Sequence, residues 1–239
     1  MTPEAAAAIE RADEVLYLVA QPLTARWIER TNSRSRSLAG LYAVGKPRRE
    51  TYAEMVDELL APVCAGRDVC AAFYGHPGVF VDPGHEAVRR ARAAGRRARM
   101  LPAVSALDCL VADLGIDPAA TGLQTYEATD FLLRRRPADP TALLVRWQIG
   151  VVGELGVTME PHRENLALLV ERLLETYPPD HEAVVYEASP YPLVADPVVL
   201  RVPLEGVPEA RVSLLSTLVV PQSQARRRDP GVAARLGLS

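Results

Sequence analysis

The stretch Val69-Cys70-Ala71-Ala72-Phe73-Tyr74-Gly75-His76-Pro77-Gly78-Val79-Phe80 decides how this chain folds. Its first half is a short apolar run, the pattern of a strand buried on both faces of a parallel sheet. Its second half is a Gly-Pro-Gly turn, in which glycine permits backbone conformations closed to other residues and a close approach of main chain to another molecule. Tyr74 and His76 thereby place a phenol and an imidazole at the carboxyl end of a strand, where open α/β sheets hold their ligands. Taken alone, the turn has two readings: a ligand cradle and a rigid corner between strand and loop.

The segments on either side alternate in type. Thr2, Pro3 and Glu4 are an N-cap, a first-turn proline and an early acid, and open an alanine-rich helix over residues 2–12. Strands are expected over 15–19, 69–72 and 97–101, helices over 24–29, 51–65, 85–94 and 104–114, and a polar loop over 32–37. This alternation predicts the α/β class, with a parallel sheet covered by helices on both faces. The second half is expected to carry strands over 123–127, 142–147, 182–188, 199–202 and 213–220 and a long helix over 163–177, a set whose class the pattern alone leaves open.

At 239 residues, 49% of them hydrophobic, the chain has material for one large or two medium domains with a substantial core. A net charge of -3 and a pI near 5.9 argue against a nucleic-acid or membrane-surface role, since both need a sustained basic field. Arginines 89, 90, 92, 96, 97 and 99 read as a solvated helix face. Cys64, Cys70 and Cys109 are too few and too irregular for a disulfide framework, and Cys70 and Cys109 lie in apolar runs that suit buried thiols. The start lacks a charged segment followed by an apolar one, and no apolar run approaches membrane-spanning length, so a cytoplasmic protein is expected. His76, His85, His162 and His181 are scattered, so no metal site is expected. Nucleophile-elbow and P-loop patterns are absent from the sequence.

In order along the chain, Leu41-Tyr42, Gly45-Lys46-Pro47-Arg48, Thr51-Tyr52, the 74–80 turn, residues 97–102, Val104-Ser105-Ala106, Cys109-Leu110, Ala112-Asp113-Leu114, Ile116-Asp117-Pro118 and Thr125-Tyr126-Glu127-Ala128 form a longer pattern. It resembles the tetrapyrrole-methylase superfamily of S-adenosyl-L-methionine-dependent methyltransferases, and within it the borosin-type peptide backbone α-N-methyltransferases. The resemblance implies two α/β domains, placed at 1–118, with the catalytic residues and the turn, and 119–239, completing a cofactor pocket in the cleft between them. It implies S-adenosyl-L-methionine as cofactor, a homodimer, and methylation of backbone amides of a precursor peptide. Because the chain ends at Leu236-Gly237-Leu238-Ser239, where fused members continue into a clasp domain and core peptide, that peptide is expected as a separate chain. Relatives begin with a strand and glycine-rich loop ahead of the helix matching residues 2–12, so the first sheet is expected to lack that strand. A tetrapyrrole or other small-molecule methylase, and a non-catalytic partner subunit, are the competing readings.

Methyl transfer from a sulfonium is an in-line displacement, and a neutral amide nitrogen accepts the methyl only if its proton is removed and the carbonyl oxygen's developing charge is stabilised. Arg48 and Tyr52 stand four apart, on one helix side. An arginine beside a tyrosine favours the phenolate, lowering a pKa that starts at about 10; without the resemblance the two would read as an exposed helix pair. The resemblance places the catalytic roles on Arg48, Tyr52 and Tyr74: Tyr52 as base, Arg48 as the activating cation, Tyr74 as donor to the substrate carbonyl. Tyr42 corresponds to a further active-site tyrosine on the substrate side. The cofactor residues it implies are Tyr74, His76, Val79, Phe80, Ser105, Ala106, Gln148, Ser189, Ser216 and Thr217. By itself Gln148 reads equally as a strand-end amide serving the backbone.

Overall fold

The computed structural model describes every residue except Met159 and Ser239, so the last residue of the terminal stretch 236–239 lies outside the described residues. The chain divides into two compact units, residues 1–112 with 154–158, and residues 113–153 with 159–239.

In the first unit α1 (Pro3–Arg11) is capped by the Thr2 hydroxyl, which accepts from the Ala5 amide at 3.2 Å. It leads into β1 (Glu14–Leu18), α2 (Pro22–Thr31), β2 (Ser35–Ser37), α3 (Arg48–Cys64), β3 (Val69–Phe73) and α4 (Asp82–Ala93). The strands form a parallel sheet in the order β2-β1-β3, with Tyr17 opposite Ser37 on one side and Ala72 on the other. Side chains alternate as a strand requires: Val15, Tyr17, Cys70 and Ala72 pack toward Ile9 of α1 and Ile28 of α2. Leu16, Leu18, Ala71 and Phe73 pack on the other face with Met55 and Leu59 of α3. This is the doubly covered parallel sheet that the alternation of the sequence predicts.

Two segments depart from the sequence expectation. Residues 35–37 pair with β1 as a strand where a loop is expected; polar, half-exposed Ser35-Arg36-Ser37 carries no apolar alternation to betray an edge strand. Residues 97–101 form no strand, because β3 ends the sheet on that side. Between the outer edge of β3 and residues 97–104 lies a groove of about 850 Å³, lined also by Ala5 and Ala8 of α1 and Ala87 and Ala91 of α4. Cys70 lines this groove half-buried rather than deep in the core, and burial pushes its thiol up to about 11. The arginines of α4 are solvated as expected; Arg89 pairs with Glu86 and Arg90 with Asp57.

The second unit takes up the end of α5 (Ala106–Leu114), then α6 (Pro118–Thr121), β4 (Leu123–Glu127), α7 (Ala128–Leu133), β5 (Leu143–Trp147), α8 (Arg163–Leu174), β6 (Glu182–Glu187), β7 (Val198–Pro203), β8 (Thr217–Val220) and α9 (Pro230–Arg235). Its five strands run in the order β4-β5-β8-β6-β7, parallel only between β4 and β5. The sheet is therefore mixed, a point that apolar strand runs do not encode. Its core joins Leu144, Val185, Leu218 and Val220 to Leu166, Leu169 and Leu173 of α8 and Phe131 of α7. No helix among the described residues is long and apolar enough to cross a membrane.

Candidate active site

In the first unit, β3 delivers the turn. Tyr74 follows its last residue, tied by its amide to the Leu18 carbonyl at 3.1 Å, with its side chain 54% exposed. Gly75 takes a left-handed φ of 68°, and the Gly78 amide donates to Nδ1 of His76 at 3.0 Å. A Cβ on Gly78 would stand 2.6 Å from the Met100 sulfur, so this turn admits no side chain there without displacing Met100. Phe80, a non-glycine residue at φ 57°, holds a backbone conformation that costs of order 1–3 kcal/mol where nothing compensates it. Such outliers cluster at sites that grip ligands. Val79 and Phe80 stand out of the turn, 39% and 46% exposed.

Beside the turn stands the start of α5. A Cβ on Gly75 would be 4.0 Å from the Val104 carbonyl oxygen. Ser105 and Asp108 form a capping box: the Ser105 amide and hydroxyl both donate to Oδ2 of Asp108 at 2.6 Å, and the Asp108 amide donates back to the Ser105 hydroxyl at 3.3 Å. The Ser105 side chain and His76 together hold the Asp108 carboxyl below its ordinary range, the serine hydrogen bonds being the larger cause. The buried Ser105 hydroxyl is thus committed to the helix cap. The Ser-x-x-Asp spacing signals this cap in the sequence, and the sequence reading passed over it.

Tyr42, Arg48, Tyr52 and Tyr74 interact electrostatically as one group. Arg48 opens α3, and residues 154–158 close on it: its amide donates to the Leu155 carbonyl at 2.8 Å and its Nη2 to the Gly156 carbonyl at 3.0 Å. Tyr52 and Tyr42 share a side-chain hydrogen bond that holds the proton on Tyr52 and eases its loss from Tyr42. Burial pushes the Tyr52 phenol up, and neighbouring Tyr42 pushes it further. Arg48 pulls it down, as its spacing from Tyr52 suggests, but burial wins and the net direction is upward. The Tyr42 phenol is also raised, mainly by burial. Helix spacing reveals the attraction of one charge and says nothing of the desolvation that opposes it.

In the second unit, Gln148 follows β5 with left-handed φ 61° and ψ 36°. The next turn packs without room to spare: a Cβ on Gly150 would lie 2.0 Å from the Ser213 carbonyl oxygen. The Ser216 hydroxyl, fully buried, donates to Glu187 at 2.5 Å and accepts from the Ser213 amide at 2.8 Å. Arg146 pairs with Leu218 and Tyr186 with Thr217, so the ends of β5 and β6 and the start of β8 lie at one edge of the sheet. Gln148, Ser216 and Thr217 gather there, and Ser189 follows two residues after β6, its hydroxyl accepting from the Tyr191 amide at 3.2 Å. Glu187, which sequence reading missed, is what holds Ser216.

Each unit thus collects its own share of the expected residues. The turn of the first unit presents exposed rings and peptide groups, and the second unit presents a neutral amide and hydroxyls at one end of its sheet.

Comparison with known proteins places the chain in a family. The chain is 37% identical over 235 residues to the methyltransferase/ribosomally synthesized cyclic peptide gymnopeptides precursor of Gymnopus fusipes, covering 96% of this chain and 56% of that protein. It is 45% identical over 204 residues to a methyltransferase/ribosomally synthesized type I borosin cyclic peptide precursor of Coprinopsis marcescibilis, covering 84% and 52%. The chain therefore spans just over half the length of these curated relatives. Among solved structures, uroporphyrin-III-C-methyltransferase from Thermus thermophilus shares the fold at TM-score 0.63 and 21% identity, covering 93% of this chain and 88% of that one. The family model for tetrapyrrole (corrin/porphyrin) methylases matches residues 1–192, and the chain belongs to that family.

Proposed function

We propose that this protein is an S-adenosyl-L-methionine-dependent methyltransferase of borosin type that places methyl groups on backbone amide nitrogens of a precursor peptide. The observation that carries the reading is the Tyr42–Arg48–Tyr52–Tyr74 group, in which a cation, two half-buried phenols and an exposed phenol interact beside the glycine turn. The relatives named above pair a methyltransferase with a cyclic peptide precursor in one protein, which supports a peptide as substrate.

The turn residues Tyr74, His76, Val79 and Phe80 with Ala106, and Gln148, Ser189 and Thr217 of the second unit, are assigned to holding the cofactor; Ser105 and Ser216 hold the elements that present them. Bound there, S-adenosyl-L-methionine would supply an electrophilic methyl group for the amide nitrogen and retain the leaving electron pair on its sulfur. The amide proton must leave, and Tyr52 is assigned to take it. Burial holds the Tyr52 phenol above its ordinary value, so its phenolate is the scarce form, and the Arg48 guanidinium favours that form. Arg48 also supplies a donor for charge developing on the carbonyl oxygen, and Tyr74, exposed at the strand end, hydrogen-bonds that carbonyl.

Calorimetry with S-adenosyl-L-methionine is expected to show one site per chain, and mass spectrometry to show stepwise methylation of a peptide added as a separate chain. Absence of binding by folded protein overturns the proposal. Binding without modification of any separate peptide, while a fused peptide is methylated, restricts it to action in cis. A homodimer in the cytoplasm is part of the same proposal.

A further inference from the structure

Arg146 lies on β5, in the interior of the second unit, and is wholly inaccessible to solvent. Its Nη1 donates to the Val145 carbonyl at 3.3 Å, while its Nε and Nη2 are buried without a partner. The guanidinium carbon sits 3.7 Å from the centre of the Phe131 ring and 4.9 Å from that of Tyr126. Arg172 of α8 lies against the same Phe131 ring, 5.7 Å from its centre, and its Nε is also buried and unpartnered. A wholly buried cation, Arg146, and a half-buried one, Arg172, thus share one ring, and each has a buried Nε without a partner.

The acids nearby are engaged with other arginines, one of them with Arg172 itself. Glu175 pairs with Arg172 Nη1 and Arg135, Asp130 with Arg134 and Arg136, and Asp139 with Arg226. Among the described residues no carboxylate comes within ion-pair distance of Arg146, and this corner of the unit holds three carboxylates for six guanidiniums. Ring faces attract a cation but donate nothing to its N–H groups, and a buried charge persists only when paired and hydrogen-bonded. Burial depresses the Arg146 pKa to about 9, and Arg172 adds repulsion; the group nonetheless stays charged at neutral pH.

We propose that a small monovalent inorganic anion of the chloride class binds inside the second unit, held by the free Nε and Nη2 of Arg146 and the Nε of Arg172. The anion neutralises the buried Arg146 and ties Arg172 of α8 to β5. Gln148 follows immediately after the end of β5, so occupancy of this site also steadies the end of the sheet assigned to the cofactor.

The test is thermal unfolding of the full chain in potassium chloride against potassium gluconate at equal ionic strength, with bromide used to locate the site crystallographically. Chloride is expected to raise the midpoint with rising concentration; at about a hundredfold excess over Kd the folded-to-unfolded ratio gains roughly a hundredfold, about 5–11 °C for a chain of this size. Arg146→Met and, as a milder variant on the helix side, Arg172→Met are each expected to abolish that chloride response. Bromide is expected to diffract anomalously between the two guanidiniums. Equal midpoints in both salts for the native chain, a chloride response unchanged in Arg172→Met, or bromide found only elsewhere would each overturn the proposal.

Discussion

Replacing Gly150 by alanine tests whether the sheet edge of the second unit is as rigid as its packing implies. The added Cβ would lie 2.0 Å from the Ser213 carbonyl oxygen, 2.8 Å from its carbon and 2.9 Å from Cα of Leu214, all backbone atoms that no rotamer change moves aside. Ordinary contact begins more than an ångström further out, so the 213–214 segment must shift or Gly150 must retreat. Overpacking of this kind costs about 1–3 kcal/mol. At about 2–4 °C per kcal/mol for a chain of this length, Tm should fall by roughly 2–12 °C. The shift would also break the geometry of Ser216, whose hydroxyl accepts from the Ser213 amide and whose own amide donates to the Ser213 carbonyl at 3.2 Å. Cofactor affinity should therefore fall along with stability. Gly40 is the control, since a Cβ there meets nothing within 4 Å; Gly40→Ala should change stability by about 0.5 kcal/mol or less. Differential scanning calorimetry and isothermal titration with S-adenosyl-L-methionine read both effects. A Gly150→Ala protein with native Tm and native affinity would refute the reasoning.

Because burial holds the Tyr52 phenol above its ordinary value, the base form grows with pH, and the methylation rate should climb about tenfold per pH unit through the weakly alkaline range. Tyr42→Phe removes two influences that raise Tyr52, so its rate profile should move toward acid; a move toward alkali would refute the pairing. Hydrogen exchange should show the outward-facing amides of β3 exchanging faster than those of β1, which is paired on both sides; uniform protection across β3 would mean that its edge is covered. The Asp139 carboxyl is held at about 2, first by Thr141 and then by Arg226. Its folded value lies below its unfolded one, so its contribution is present above about pH 4 and disappears as pH falls through 2. Asp139→Asn should flatten that part of the acid-unfolding curve, and an unchanged curve would contradict it.

The first unit was readable because its signals are local and periodic. Apolar runs at Val15–Leu18 and Val69–Ala72, separated by helical stretches, point to a parallel sheet, and the 74–80 turn marks where its last strand ends. What escaped has specific causes. Ser35–Ser37 pairs through backbone groups that the side chains do not announce, and residues 97–101 look like a strand but have no neighbour to pair with. In the site, the clustering of Tyr42, Arg48 and Tyr52 was legible from the family pattern. The direction of the Tyr52 shift was not, since it is a contest between a charge and burial that only three-dimensional packing decides. Asp108, which holds Ser105, was signalled by the Ser-x-x-Asp spacing, whereas Glu187, which holds Ser216, lies 29 residues away from it and has no local signal.

The central claim is that methyl groups pass to backbone nitrogen. Tandem mass spectrometry of a precursor peptide incubated with the protein and isotopically labelled S-adenosyl-L-methionine tests it most directly, run beside Tyr52→Phe. The account predicts labelled methyl groups on main-chain amide nitrogens with the native protein, and a loss of about a hundredfold or more in rate with Tyr52→Phe at undiminished cofactor affinity. Label on side chains or on a tetrapyrrole only, or equal rates for the two proteins, would contradict it.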